Sequence, residues 1–145
     1  MTDLVETIDA HGHEHVRAEH ASTFEVTSDD WLTPAGDCIL AIEATTTPAE
    51  FDPAFKRACR CHEATITATI VVEDEDHVYE ETIVGSGHPD LTFAGDRSAV
   101  ARTSTYVDDR TVMVEADAAA ADLDRDLVAA LADGADCTLR LAVDA

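Results

Sequence analysis

The chain repeats itself. "VETIDAHGHEHV" at 5–16 lies on "EETIVGSGHPDL" at 80–91 with an offset of 75, so Glu6-Thr7-Ile8 meets Glu81-Thr82-Ile83 and Gly12-His13 meets Gly87-His88. "DCILAIEATTTPAEFDPAF" at 37–55 lies on "DRTVMVEADAAAADLDRDL" at 109–127 with an offset of 72, pairing Glu43-Ala44 with Glu115-Ala116, Phe51 with Leu123, Asp52 with Asp124 and Phe55 with Leu127. Ala64, Ile66, Ala68 and Ile70 then correspond to Cys137, Leu139, Leu141 and Val143. Self-similarity at a fixed period marks one supersecondary unit written twice. Such a chain folds each unit alike and packs the two about an approximate dyad.

Each half reads as a short strand (4–10, 78–84), a Gly-His turn, a longer strand (16–27, 91–102), a third strand (37–44, 110–116), a short helix and a last strand (63–72, 136–143). Asp52 and Asp124 suit helix N-caps, Pro53 suits the first helical position, and Phe51, Phe55 and Cys59 recur every four residues, as Leu123, Leu127 and Leu131 do. Gly134 suits a left-handed helix end. In "ATITATIVV" Ala64, Ile66, Ala68 and Ile70 point inward and the threonines outward.

The expected fold class is α+β and β-rich: a duplicated β-β-β-α-β unit forming a pseudo-two-fold, mostly antiparallel barrel or near-closed sheet with two short helices. Closure removes exposed edges. The expected organisation is a single domain over 1–145, with two repeats of about 1–72 and 78–145 joined by an acidic turn at 73–77. Gly36-Asp37, just before a buried strand, resembles the turn of cradle-loop barrels, in which the glycine permits the turn and the aspartate ties it to distant backbone. Asp108-Asp109 keeps the acid and loses the glycine.

A chain of 145 residues, 46% hydrophobic, can bury a real core. It carries 31 Asp and Glu against nine Lys and Arg, and Lys56 is its one lysine. In dilute buffer a net charge of -22 pushes the compact state apart. At about 1 M salt the Debye length is roughly 3 Å and that repulsion is screened. The acids are spread along the chain, so the charge reads as an adaptation to molar salt and not as one binding cluster. The basic stripe needed for nucleic acid is missing, which makes a nucleic-acid accessory role the least favoured. "MTDLVETIDA" has neither the basic start nor the apolar run of an export signal, no segment reaches roughly 18 apolar residues, and Cys38, Cys59, Cys61 and Cys137 read as free thiols. A soluble cytoplasmic protein is expected, with no membrane partner.

"HGHEHVRAEH" at 11–20 holds four histidines. Along the expected strand at 16–27, His20 shares the inward face with Val16, Ala18, Phe24 and Val26. Such an imidazole is either a hydrogen-bonded core residue or a ligand. A metal site needs three or four converging donors, and His13, His20, His88 and Asp37 are the candidates for a divalent metal. "CRCHE" at 59–63 lacks a second cysteine pair, and Cys59 lies on the helix stripe. Arg102 and Arg110, bracketing "TSTYVDD", are candidates to bind a phosphate or carboxylate through guanidinium forks. The alternative is an ordinary ion pair with Asp108 or Asp109.

"GHEHVRAEHASTFEVTSDDWLTPAGDCILAI", "GSGHPDL", "ARTSTYVDDRT" and "EADAAAADLDRDLVAAL" together resemble the archaeal family called domain of unknown function 371, over nearly the whole chain. The resemblance implies an archaeal source, with the charge a halophilic one, and implies no activity. It also implies a Gly-His turn in each half with a second histidine seven residues on, a spacing kept by His13 and His20 but lost where Gly95 follows His88. A basic residue is implied after Ala116-Asp117, where this chain has Ala118. The leading reading is a non-catalytic module that binds a small ligand or a partner protein. The alternatives are a metal-dependent enzyme using the two Gly-His turns and the accessory factor already named. A homo-oligomer is a further alternative.

Overall fold

The structure, a computed structural model, describes residues 4–145. The first three residues of the expected first repeat lie outside that range. Eight strands run in chain order, β1 (Leu4–His11), β2 (Thr23–Thr27), β3 (Ile39–Ala41), β4 (Thr65–Glu73), β5 (Val78–Ser86), β6 (Ser98–Arg102), β7 (Thr111–Met113) and β8 (Asp136–Asp144). Helices α1 (Pro53–Cys59) and α2 (Arg125–Ala132) each follow a single 3-10 turn. The Asp52 carboxylate accepts the Ala54 N–H at 2.8 Å, and that of Asp124 accepts the amides of Asp126 and Leu127, so both helices begin at their acidic caps.

The strands form two four-stranded sheets, ordered β1-β8-β4-β5 and β3-β2-β6-β7. The first is wholly antiparallel. In the second, β2 and β6 are antiparallel, but each carries a parallel neighbour, β3 and β7. Two single bridges join the sheets at their edges, His11 to Ile42 and Ser86 to Val114. The arrangement is thus strand-rich α+β with two helices, mostly antiparallel, and its barrel is approximate because those edges touch at one residue each. No helix is long and apolar enough to cross a membrane.

Backbone features recur at these offsets more fully than side chains do. The left-handed residues Ala18 (φ 48) and Phe93 (φ 49) are 75 apart, and Glu43 (φ 54) and Glu115 (φ 53) are 72 apart. Such residues are uncommon outside glycine and cost of order 1–2 kcal/mol each, so their recurrence at equivalent positions marks a common mould. Hydrogen bonds recur in the same way. Glu6 accepts the Asp52 amide and Glu81 the Asp124 amide, and the His20 carbonyl accepts Ala121 N–H while the Gly95 carbonyl accepts Ala49 N–H. The last pair crosses between halves, which locks one repeat into the other.

Several expectations are corrected. The strands proposed at 16–27 and 91–102 are regular only over 23–27 and 98–102. The left-handed turn at Ala18 and Phe93 breaks the extended backbone, and the amides of Glu19 and His20 converge on the Asp37 carbonyl instead. The third strands are only three residues long. The last strands correspond with an offset of 71 and not 73, since Gly12 N–H donates to Ala135 O where Gly87 N–H donates to Ala64 O. The slip of two leaves every side chain on its expected face. Gly36 does not take a left-handed conformation, because Gly134 is the one described glycine that does. Its space is restricted instead, a Cβ there lying 3.0 Å from Leu32. The tie to distant backbone runs through the Asp37 carbonyl and not through its carboxylate.

One core lies between the sheets. Ile66, Ala68, Ile70 and Val72 of β4 and Cys137, Leu139, Leu141 and Val143 of β8 face inward, against Phe24, Val26, Leu40 and Met113 of the second sheet. The turn at 73–77 is an exposed hairpin in which the Asp74 carboxylate accepts the amides of Asp76 and His77. The four cysteines are free, and burial pushes the Cys59 and Cys137 thiols up to about 12.

Candidate functional site

The Gly-His turns are built by packing. A Cβ on Gly12 would lie 1.8 Å from Leu131 O at the end of α2, and one on Gly87 would lie 2.1 Å from Cys59 O at the end of α1. Only glycine lets these turns approach the helix ends of the opposite half. The histidine then closes the turn. His13 Nδ1 accepts the His15 amide and His88 Nδ1 accepts the Asp90 amide, each at 3.0 Å. A neutral ring used this way carries its proton on Nε2. His20 caps a turn of its own, its Nδ1 accepting the Thr23 amide at 3.2 Å and facing the Thr23 hydroxyl at 2.9 Å.

The two turns do not converge. β1 and β5 are opposite edges of the first sheet, and His11 pairs across to the end of β4 whereas Ser86 pairs with its start. The turns therefore sit at diagonal corners, about 30 Å apart along the sheet. His88 lies against His62 (ring centroids 4.9 Å) and His13 against His15 (5.1 Å). Among the described residues no three His, Cys, Asp or Glu side chains are grouped as metal ligands would be. Asp37 is brought to His20 through backbone alone, with His20 N–H donating to its carbonyl at 3.2 Å. Where Gly95 replaces the second histidine, the matching bond to Asp109 O is 2.8 Å and a Cβ would lie 2.7 Å from that oxygen, so the second half packs too closely for a side chain.

The arginines, by contrast, converge. β2 and β6 turn Phe24, Val26, Ala99 and Ala101 to the core and Thr23, Glu25, Thr27, Ser98 and Arg102 to the other face, where they are also buried. Connectors 28–38 and 103–110 join each strand to its parallel neighbour beside this face. Arg102 donates from Nε to Thr111 Oγ1 (2.9 Å) and from Nη2 to Asp108 Oδ2 (3.0 Å). Arg110 donates to the same carboxylate oxygen from Nη2 at 3.0 Å, and its Nη1 lies 3.9 Å from Glu25. Burial works to raise the Asp108 carboxyl, but hydrogen bonds from the Arg110 side chain and amide, with the Arg102 charge, hold it down at about 2. Of the two acids named from sequence, Asp108 is the partner. Asp109 instead accepts the Thr92 hydroxyl at 2.9 Å.

Glu25 in this cluster, and Trp31 and Tyr106 on the two connectors, carry no signal in the sequence taken one position at a time. Glu25 is buried and has only the long Arg110 contact and the Cys38 thiol, 3.7 Å away. Burial, with the Glu25 charge, pushes the Cys38 thiol up to about 11, so it stays protonated. Trp31 and Tyr106 are 54% and 60% exposed, the most open aromatic side chains described. They are 75 apart, the offset that relates Asp29 to Ser104, and each has an arginine over its ring, Arg97 at 5.9 Å and Arg102 at 4.8 Å. Matching the two aromatic residues across the repeat finds them.

The sequence profile of the domain of unknown function family DUF371 matches residues 8–144. The chain belongs to this family. It is also 36% identical, over 136 residues, to the uncharacterised protein MJ0206 of Methanocaldococcus jannaschii, covering 94% of this chain and 97% of that archaeal one. In this DUF371 chain the arginine cluster contrasts with an open hollow of about 660 Å³ lined by Glu73, Asp74, Glu75, Asp76, Asp133 and Asp136, and by no lysine or arginine. Glu73 and Asp136 are direct cross-strand partners, and like charges so placed repel.

Proposed function

We propose that the protein is a non-catalytic binding module, whose site is formed by connectors 28–38 and 103–110 with the arginine cluster between them. The observation that carries this reading is the pair Trp31 and Tyr106. Two large rings held open to solvent, at equivalent positions of the two halves and each against an arginine, offer stacking surface beside guanidinium donors. Arg110 is half exposed, and its Asp108 bond can be exchanged for that of an arriving carboxylate or phosphate. The ligand class that fits is a planar anion or an aromatic, acidic segment of a partner protein. Trp31 is the chain's one tryptophan, so its fluorescence reports occupancy directly. Titration with aromatic carboxylates and nucleotides should quench or shift it saturably, and both Tyr106→Ala and Arg110→Ala should weaken binding about tenfold or more, roughly 1.4 kcal/mol. Saturable binding unaffected by either variant, or no response to any member of the set, counts against this site.

The same reading takes the chain as one domain of two repeats, acting in the cytoplasm at molar salt. The acid-lined hollow and the opposed Glu73 and Asp136 support it, since both are repulsive in dilute buffer and screened at high salt. Circular dichroism should show structure lost in low salt and regained with KCl. Equal stability in both requires another explanation of the charge.

A further inference from the structure

Among the described residues nothing covers the outer face of the first sheet, which differs in character from the rest of the molecule. Its side chains form cross-strand rows, and two neighbouring rows, one from Val5 to Val84 and one from Thr7 to Thr82 through Arg140 and Thr69, carry no carboxylate. Val5 and Val84 are 38% and 39% exposed, although the chain has acids at 31 of 145 positions. The rows on either side are acidic, with Asp9 and Glu80 at one border and Asp144 at the other. A centre free of carboxylates, with Val5, Ala142, Val84, threonines and one arginine inside an acidic rim, has the anatomy of a protein interface, where Asp and Glu are depleted and Arg is enriched. Arg140 stands in the centre, exposed, and makes no ion pair or hydrogen bond among the described residues. Among the described residues Glu80 likewise has no ion-pair partner.

We propose that this face is where two copies of the chain pair, sheet against sheet, at molar salt. Four strands and nine residues span roughly 19 by 30 Å, about 570 Å² per copy, so a pair buries about 1,140 Å², just past the ~1,000 Å² a specific interface needs. The charges are self-complementary. Rows on one face lie about 6.6 Å apart, within the reach of an arginine side chain, so under a two-fold axis each Arg140 meets the acidic border of the other copy. In dilute buffer the two borders repel, and at high salt they do not. This surface is separate from the connectors assigned above to ligand binding, and its failure leaves that reading standing.

Sedimentation over a range of protein concentrations in molar KCl tests the proposal. The expected species has twice the 15.5 kDa chain mass. Val84→Asp and Arg140→Glu should each raise the dimer dissociation constant at least about tenfold, with circular dichroism and melting unchanged, while Trp31→Ala should leave it as it is. A single-chain mass at every concentration overturns the proposal, and so does a dimer undiminished in both sheet variants.

Discussion

The α1 end of the molecule is aromatic and the α2 end is aliphatic, on the same backbone. Phe51, Phe55 and Phe93 pack edge-to-face and tilted, with centroids 5.4 to 6.1 Å apart, at the first end. The equivalent positions at the second are Leu123, Leu127 and Ala18. The volume lost there is taken up partly by Arg125, whose guanidinium donates to the carbonyls of Leu123, Ala18, Ala120 and Ala121. Lys56 does a smaller version of this at the first end, donating to Ala49 O. Aspartate caps, left-handed residues and crossed amide bonds recur at both ends. Side-chain volume is therefore exchangeable in this fold, and the backbone contacts between halves are what repeat.

The largest expected effects come from truncating each end. Phe55→Ala should destabilise by about 3–5 kcal/mol and Leu127→Ala by about 2–5 kcal/mol, measured by denaturant unfolding in molar KCl. If Phe55→Ala costs less than Leu127→Ala, the larger side chain does not bring the larger loss. Next are the turns. Gly12→Ala and Gly87→Ala should each cost about 2–3 kcal/mol, because the added methyl meets a helix carbonyl, whereas His13→Ala and His88→Ala should cost about 1 kcal/mol for one lost turn bond. Histidine variants more damaging than the glycine ones would mean the rings do more than close turns.

These elements were legible to different degrees. Asp52 with Pro53 and Asp124 with Leu127 announce the helices through chemistry that needs no neighbour, and alternation sets the faces of β4 and β8. Ala18 and Phe93 gave no warning of a left-handed turn, since neither side chain favours one. That turn is imposed by amide bonds to residues near 37 and 109, and it ended the longer strands. The parallel neighbours β3 and β7 were hidden for a related reason, because each follows a connector without regular structure. Of the candidate residues, Arg102 and Arg110 stood out because basic residues are scarce. Glu25 did not, since its burial depends on strand β6, some 75 positions away. The histidines were the most conspicuous residues, yet in His13, His20 and His88 the Nδ1 atom is taken up by a local amide.

Smaller effects separate the polar sides of the halves. Asp108 has a lowered pKa, so its contribution is present above the ordinary carboxylate value of 3.8 and is lost as pH falls towards about 2. Asp108→Asn should remove roughly 1 kcal/mol at pH 6, allowing for solvent screening, and little at pH 2. A difference that persists at pH 2 would assign the loss to shape and not to charge. The smallest effect belongs to the edge bridges. His11 donates to Gly12 O and to Glu43, which raise its pKa above 6.5, whereas the matching residue at the other bridge is Ser86, with no titration. The stabilisation is present below pH 6.5 and is lost as pH rises through the raised value. Amide exchange at Ile42 should therefore quicken between pH 6 and 8 relative to Val114, once intrinsic rates are divided out, and Glu43→Gln should remove the difference.

The central claim is that the paired Gly-His turns hold the two halves together, with the His13 and His88 rings closing those turns through Nδ1. Nitrogen-15 spectra of the imidazole rings, recorded in molar KCl at a pH where imidazole is neutral, test it most directly. The account predicts that His13 and His88 are both Nε2–H tautomers with Nδ1 accepting a hydrogen bond, unchanged by added zinc. Nδ1–H tautomers, or zinc-dependent shifts at both rings together, would contradict it.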